Sequence, residues 1–148
     1  MAISRGSGTE IIRTALFEDV VGVGSRDLII GVQHHIYTVL SVIMYTVNAG
    51  GYVDFQILGY DSYGGTTQEN IVIFSRTVVA AETYVWNDKF SFNGTEPTNF
   101  TGPLSTVAEQ DLIADQAESA ITQNLQLYVS HADVDVDIVL TYIDQNNS

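Results

Sequence analysis

The 148-residue chain has no cysteine, two prolines and five basic residues, against 18 acidic ones. The absence of cysteine excludes disulfides and thiolate metal ligands. Direct binding to nucleic acid is not expected, because phosphate contacts need clustered Lys and Arg whereas the net charge here is −13. No apolar run reaches the roughly 20 residues of a membrane-spanning helix. The N-terminus has no basic region followed by an apolar stretch, so a secretory signal is not predicted either.

The chain nevertheless has ample material for a hydrophobic core. Hydrophobic residues make up 45% of it and charged residues 16%, and its length suits one domain. We expect a small polar arm at residues 1–9 and a single domain at 10–148. No basic residue follows Leu104, and four of the five lie in the first 76 positions: Arg5, Arg13, Arg26 and Arg76. This asymmetry serves solubility alone, or it indicates an acidic outer face combined with an N-terminal part that docks elsewhere.

The clearest structural signal is the alternation of apolar and polar residues between Asn124 and Ile143. Leu125, Leu127 and Val129 point one way, and after a short polar interruption the even-numbered residues 134–142 are apolar while Asp133, Asp135 and Asp137 lie opposite. Successive side chains leave a strand on opposite faces, so the pattern predicts two strands that each bury one face. The short interruption predicts that the two strands form a hairpin.

Other stretches give further strands. Residues 10–21 fit a short helix or a strand, and the β-rich remainder favours extended chain. Residues 36–47 are apolar on both faces, which predicts a central strand covered on both sides. Residues 53–57 alternate and are expected to pair back on that strand, and Asn93-Gly94 predicts a tight turn.

These segments together predict the fold class. One short helix is expected near 105–120, where Thr106 and Glu109 have capping-box spacing. Elsewhere we count about eight short strands separated by turn signals. The chain is therefore predicted to be all-β, an antiparallel, jelly-roll-like β-sandwich.

Asp133, Asp135 and Asp137 are the candidate metal ligands. On one strand their carboxylates repeat every ~7 Å, too far apart to share an ion without help from another strand or chain. The alternatives are a charged outer strand face that blocks unwanted pairing, a calcium site, or the partner of an arginine from another subunit.

The sequence carries no motif that points to catalysis. The adjacent His34 and His35 point to opposite faces of a strand, and His131 lies in the predicted turn. No nucleophile elbow, zinc-protease helix, phosphate-binding glycine loop or EF-hand loop is present. We therefore predict that the protein is not an enzyme and needs no cofactor.

Six residues are candidates for an interface. Tyr60, Tyr63 and Trp86 offer rigid aromatic area to a carbohydrate or a protein, or they pack locally. The candidates for docking on a partner are the basic residues of the N-terminal part, Arg5, Arg13 and Arg26.

Four stretches of the chain match a pattern known from other proteins: EIIRTALFEDVV at 10–21, IYTVLSV at 36–42, AETYVW at 81–86 and LYVSHADVDVDIVLTYI at 127–143. Together they resemble the small β-sandwich virion proteins of tailed bacteriophages, particularly marine and cyanobacterial ones. The resemblance covers most of residues 10–143 and brings no catalytic residue with it. Residues 32–35 replace the usual Pro-x-Gly entry to the first core strand, and residues 93–120 resemble an insertion.

The resemblance implies a non-enzymatic structural protein, assembled in the bacterial cytoplasm and located in the virion. We expect a capsid decoration or cement protein on the head exterior, a dimer or trimer that contacts the major capsid protein or other virion proteins. One alternative is a tail, neck or fibre component that binds a host glycan or a partner protein. Another is a cellular β-sandwich module that binds carbohydrate or calcium.

Overall fold

The computed structural model describes residues 8–60, 68–97, 106–108 and 120–147. They form eleven strands: β1 (Thr9–Val21), β2 (Gly24–Ile30), β3 (His35–Asn48), β4 (Tyr52–Tyr60), β5 (Gln68–Thr77), β6 (Thr83–Trp86), β7 (Phe90–Asn93), β8 (Thr95–Pro97), β9 (Ala120–Thr122), β10 (Asn124–Val129) and β11 (Asp135–Asn146). Extended chain over β1 confirms the strand that was favoured over a helix at 10–21. No helix among the described residues is long and apolar enough to cross a membrane.

Two antiparallel sheets hold nine of these strands. The five-stranded sheet has the order β1-β11-β3-β6, with β7 also paired to β3, and the four-stranded sheet has the order β2-β10-β4-β5. The strands β8 and β9 pair only with each other. The chain changes sheet after β1, β2, β3, β5 and β10, and also between β7 and β10, which is the alternation of a jelly roll. The predicted all-β antiparallel sandwich is confirmed.

The core lies between the two sheets, and most of its hydrophobic side chains without exposed surface come from β10 and β11. On β10 these are Leu125, Leu127 and Val129, and on β11 they include Ile138 and Leu140. Their neighbours in sequence are only half-buried, so the burial repeats every two residues. The alternation read from the sequence is therefore confirmed.

The predicted hairpin at 124–143 is wrong. Strand β10 pairs with β2 and β4, whereas β11 pairs with β1 and β3 in the other sheet. The connection at 130–134 crosses the end of the sandwich and buries Val134 completely. Both strands face the same core from opposite sides, and a pattern with a period of two reports the buried face of a strand but not the sheet to which it belongs.

The expected environment of residues 36–47 is wrong in two respects. Strand β4 does not pair back on β3 but lies in the four-stranded sheet between β10 and β5. Strand β3 is central in its sheet, yet only one of its faces is covered: Met44 is buried, whereas Ile43 and Tyr45 are about 40% exposed. The outer face of the five-stranded sheet is therefore apolar and open in the single chain.

The turn predicted at Asn93-Gly94 joins strands that do not pair with each other, since β7 pairs with β3 and β8 with β9. Gly94 is needed there for another reason: a Cβ atom would collide with the carbonyl oxygen of Val32. This close approach lets the Gly94 N–H donate to His35 O at 2.8 Å while its carbonyl accepts from Gln123 N at 2.9 Å.

Parts of two predicted segments lie outside the described residues. Of the helix expected at 105–120, the structure describes 106–108, where 107 and 108 are helical, and Ala120, which begins β9. Of the arm expected at 1–9, residues 1–7 lie outside the described part of the chain.

The burial difference predicts a stability difference. Leu127→Ala should lower the free energy of unfolding by about 2–5 kcal/mol, because it leaves a cavity between the two sheets. Ile71→Ala, at a residue of β5 that is 74% exposed, should change it by less than about 1 kcal/mol. Urea unfolding followed by circular dichroism measures both values, and equal effects would contradict the position of the core.

Candidate functional site

The outer face of the five-stranded sheet carries a row of aliphatic side chains in register. Leu16 on β1 lies opposite Val139 on β11, Val139 lies opposite Ile43 on β3, and Ile43 lies opposite Val85 on β6. Because the sequence neighbours of Val139 and Ile43 are buried between the sheets, these four side chains point away from the core. One apolar row thus crosses four adjacent strands.

Further apolar residues extend this row along the strands. Ile12 lies opposite Ile143 on one side of it, and Tyr45 follows Ile43 along β3 on the other. We call this surface the apolar face, defined by Ile12, Leu16, Ile43, Tyr45, Val85, Val139 and Ile143. Ile12, Leu16 and Val85 are 60–70% exposed.

The rows of the apolar face that run from Ile143 to Val139 contain no charged residue. Between them lies a row of hydroxyl groups, in which Thr14 pairs with Thr141 and Thr141 with Ser41. The hydroxyl oxygens of Thr14 and Thr141 are 3.4 Å apart. In a chain with net charge −13, the centre of this face is therefore neutral and of low polarity.

Three carboxylates mark one end of the same face. A bulge in β1 between Phe17 and Val20 holds Asp19 with a positive φ of 54°. The N–H of Asp19 donates to Oδ1 of Asp137 at 2.9 Å. One carboxylate oxygen from each of Asp19, Asp135 and Asp137 lies within 4.8 Å of the others. Strand β1 therefore provides the additional carboxylate from a second strand that metal binding would require.

Asp135 is the electrostatically strained member of this group. Its Oδ1 is buried without a hydrogen-bond partner. Burial raises the pKa of its carboxyl above the ordinary value of 3.8, and the negative charges of Asp19 and Asp137 raise that pKa further. The group has the donor chemistry that calcium prefers, oxygen ligands of negative charge.

Asp133 is not part of the acidic group. It precedes β11 in the crossing between the sheets, and its side chain is 74% exposed. Its carboxylate lies 3.5 Å from Nδ1 of His131, and its N–H donates to the same nitrogen at 3.1 Å. The structure thus brings two of the three predicted metal ligands together and adds Asp19, which the sequence analysis missed.

The two described arginines among the interface candidates make contacts within the chain. Arg13 Nε lies 3.3 Å from Oδ2 of the buried Asp144, whose Oδ1 is 2.6 Å from Nδ1 of His35. Arg26 donates to the carbonyl of Val21 at 2.9 Å. Both guanidinium groups thus stabilise local structure. Arg5 lies outside the described residues.

Of the three aromatic candidates, Trp86 has a described side chain. The indole of Trp86 points inward from β6 and packs on Phe74 with ring centroids 4.8 Å apart, and its Nε1 is buried without a hydrogen-bond partner. Tyr60 ends β4, and the position of its side chain is not described, whereas Tyr63 lies outside the described residues.

The outer face of the four-stranded sheet has the opposite character. Gln126 on β10 accepts a hydrogen bond from Nε2 of Gln56 at 3.1 Å and donates one to Asp27 at 2.8 Å. Tyr128 lies opposite Asp54, whose Oδ1 is buried without a hydrogen-bond partner. We call this surface the polar face, defined by Asp27, Asp54, Gln56, Asn124, Gln126 and Tyr128. Gln56 is only 4% exposed, so its amide is held in place by its neighbours.

The sequence contained a signal for the apolar face but not for its position. The two-sided apolarity of residues 36–47 indicates that β3 has a second apolar side, which the sequence predicts to be covered by a neighbour. The acidic residue Asp19 gave no signal, because the register between β1 and β11 depends on a bulge that no local pattern reveals.

Comparison with solved structures finds distant matches. The chain aligns over its whole length with 97% of a protein from a structure of pili of Bacillus endospore appendages, with 11% identity and a TM-score of 0.46. It aligns with the C-terminal family 22 carbohydrate-binding module of Clostridium thermocellum Xyn10B at 12% identity and a TM-score of 0.45, covering 98% of this chain and 88% of that one.

A third match is an infectious bursal disease virus protein, with 9% identity and a TM-score of 0.43 over 93% of this chain and 32% of that one. No protein-family model matches the chain, and no curated protein matches it significantly. At these identities the similarity concerns the β-sandwich fold alone.

The acidic group predicts a pH-dependent stability. Because the pKa of Asp135 is raised in the folded state, the folded chain binds the carboxyl proton more tightly than the unfolded chain does. The protonated carboxyl therefore favours the folded state at low pH, and this contribution to the free energy of unfolding is lost as the pH rises through the raised pKa. Asp135→Asn should therefore raise the melting temperature at a pH of about 7 and leave it unchanged at about 3, where both states are protonated.

Asp133→Asn is the matched control, since Asp133 is exposed and outside the group; it should leave the melting temperature unchanged at both pH values. A lower melting temperature of Asp135→Asn at neutral pH, together with a lower melting temperature of the wild type in EDTA, would contradict the prediction and indicate a bound cation.

Proposed function

We propose that the chain is a non-enzymatic structural protein of a bacteriophage virion, and that it decorates or cements the exterior of the capsid. The observation that carries the proposal is the apolar face. A sheet face that remains in water normally presents polar side chains. A neutral, aliphatic face across four strands is expected to be covered in the working state of the protein, which supports a role in assembly.

The charge distribution fits this role. The net charge of −13 opposes non-specific association of the chains before assembly. Since Arg13 and Arg26 are engaged within the chain, their guanidinium groups are less available to a shell protein than the sequence suggested. The contact predicted between Arg5 and the major capsid protein concerns a residue outside the described part of the chain.

Counting copies in purified virions tests the proposal. A decoration protein should be present in hundreds of copies, whereas a neck or tail ring built on closed rotational symmetry holds about a dozen or fewer. Quantitative mass spectrometry against the major capsid protein gives this number. A count of about a dozen or fewer would contradict decoration and favour the tail, neck or fibre alternative.

The polar face favours a second candidate function, the binding of a glycan by a tail fibre or a cellular module. Its amide and carboxylate groups are held by one another, and the half-buried carboxylate of Asp54 lies opposite Tyr128. The rings of Tyr52 and Tyr128 lie beside them with centroids 6.1 Å apart. Ordered polar groups next to an aromatic ring suit a neutral, hydroxyl-rich ligand.

A glycan array tests this second candidate. If the wild type binds, Tyr128→Ala and Asp54→Ala should each abolish the signal, because they remove a ring contact and a carboxylate acceptor. Asp133→Ala, which removes an exposed carboxylate outside both outer faces, is the matched control and should bind as the wild type does. The absence of binding by the wild type, or an equal loss in the control, would remove this candidate.

A further inference from the structure

The apolar face has a shape that limits what can cover it. Its residues lie on adjacent strands of one sheet, so the surface is broad and shallow. Two grooves among the described residues are lined by residues outside the apolar face: one by Asn48, Ala132 and Asp135, and the other by Phe17, Arg26 and Leu28. A small molecule needs a concave pocket that surrounds it. A flat protein surface is the better match for this face.

The area of the apolar face is sufficient for a specific protein contact. The outermost of four strands about 4.8 Å apart lie ~14 Å from each other, and the four rows from Ile143 to Tyr45 extend over ~20 Å. With the width of one strand and one row added, the face measures ~19 Å by ~27 Å. Two such faces in contact bury about 1,000 Å² of surface in total when each is treated as flat. This area reaches the lower limit for specific protein interfaces.

The chemistry of the face favours a second copy of the same chain over a different partner. A two-fold interface brings one surface patch against itself, so the patch must be self-complementary. Aliphatic and hydroxyl side chains without charge meet this condition, whereas a different chain would normally be selected by charge or by a shaped pocket. The neutral centre is also where two chains of net charge −13 approach with the least repulsion.

We propose that the apolar face is the contact surface between two copies of this chain, packed sheet against sheet across a two-fold axis. The proposal rests on the assembly function proposed above and names the partner. Sheets that pack face to face lie about 10 Å apart with their side chains interdigitated. Ile43 and Val139 occupy the middle of the contact, and Ile12 and Tyr45 lie towards its ends.

The acidic group sets the relative direction of the two copies. Asp19, Asp135 and Asp137 lie together at one end of the face. A two-fold axis parallel to the strands would bring both acidic groups to the same end, where like charges repel. A two-fold axis that lies between the sheets and perpendicular to the strands places the two acidic groups at opposite ends of the dimer. The strands of the two copies therefore run in opposite directions.

Analytical ultracentrifugation of the purified full chain tests the contact. The wild type should sediment with about twice the monomer mass of 16.2 kDa. Leu16→Lys and Ile43→Lys should each raise the dimer dissociation constant by at least about tenfold, because they place an ammonium group in an apolar contact. Each lysine also adds a positive charge to an acidic chain, so weaker association cannot come from greater overall repulsion.

Val72→Lys is the matched control. Val72 is 46% exposed on the outer face of the other sheet, opposite Gln56, and its replacement should leave the dimer intact. Circular dichroism establishes that all three variants are folded. A wild type that remains monomeric at about 100 µM, or a dimer that resists both substitutions of the apolar face, would overturn the proposal.

Cross-linking gives a second, independent measurement. Because the chain has no cysteine, a single introduced thiol can form a disulfide only with another copy. Ile43→Cys, near the two-fold axis, should form a covalent dimer on mild oxidation, since a disulfide needs Cβ atoms about 4 Å apart. Val72→Cys should not. Equal cross-linking of the two variants would count against the apolar face as the contact.

The results separate this inference from the proposed function. A dimer in solution combined with a low copy number in virions would overturn decoration and leave the contact surface standing. A monomer in solution combined with hundreds of copies per virion would overturn the contact between copies and leave decoration standing.

Discussion

The outer surfaces of the molecule depend on how β10 and β11 are buried between the two sheets. Each strand is central in its sheet, and its inward aliphatic side chains are fully removed from water. At about 25 cal/mol per Å² of apolar surface, such burial is the main force that holds the sheets together. Since side chains alternate, fixing the inward set also fixes which residues face outward: Val139 and Asp137 on one sheet, and Gln126 and Tyr128 on the other.

The two outer faces consequently differ in the residues that alternate, along each strand, with the residues of the shared core. On the four-stranded sheet the outward positions are amides, carboxylates and tyrosine, which hydrogen-bond to each other. On the five-stranded sheet they are aliphatic or hydroxyl-bearing and meet in register across four strands. One face can remain in water at little cost, whereas the other exposes apolar surface. This difference makes the five-stranded sheet the side on which a partner is expected.

Much of the fold followed from local patterns, and the parts that did not are those set by long-range pairing. Alternation identified β10, β11 and the inward residues of both, and turn residues separated the strands. It did not show that β10 and β11 belong to different sheets, or that β3 and β4 do, because a strand buries the same face whichever sheet it joins. The acidic group was half visible: Asp135 and Asp137 follow from spacing, but Asp19 joins them only through the bulge in β1.

The acidic group and the apolar face are best understood together. Burial and the charges of two neighbours raise the pKa of Asp135, so an ionised Asp135 costs stability in the single chain. This destabilising carboxylate lies at one end of the apolar face, whose centre carries no charge. Like charges confined to one end penalise every arrangement of two copies that superimposes those ends, and leave the antiparallel arrangement favoured. The same carboxylates that destabilise the monomer thus determine the relative orientation of the two copies, which a uniform aliphatic surface alone would not determine.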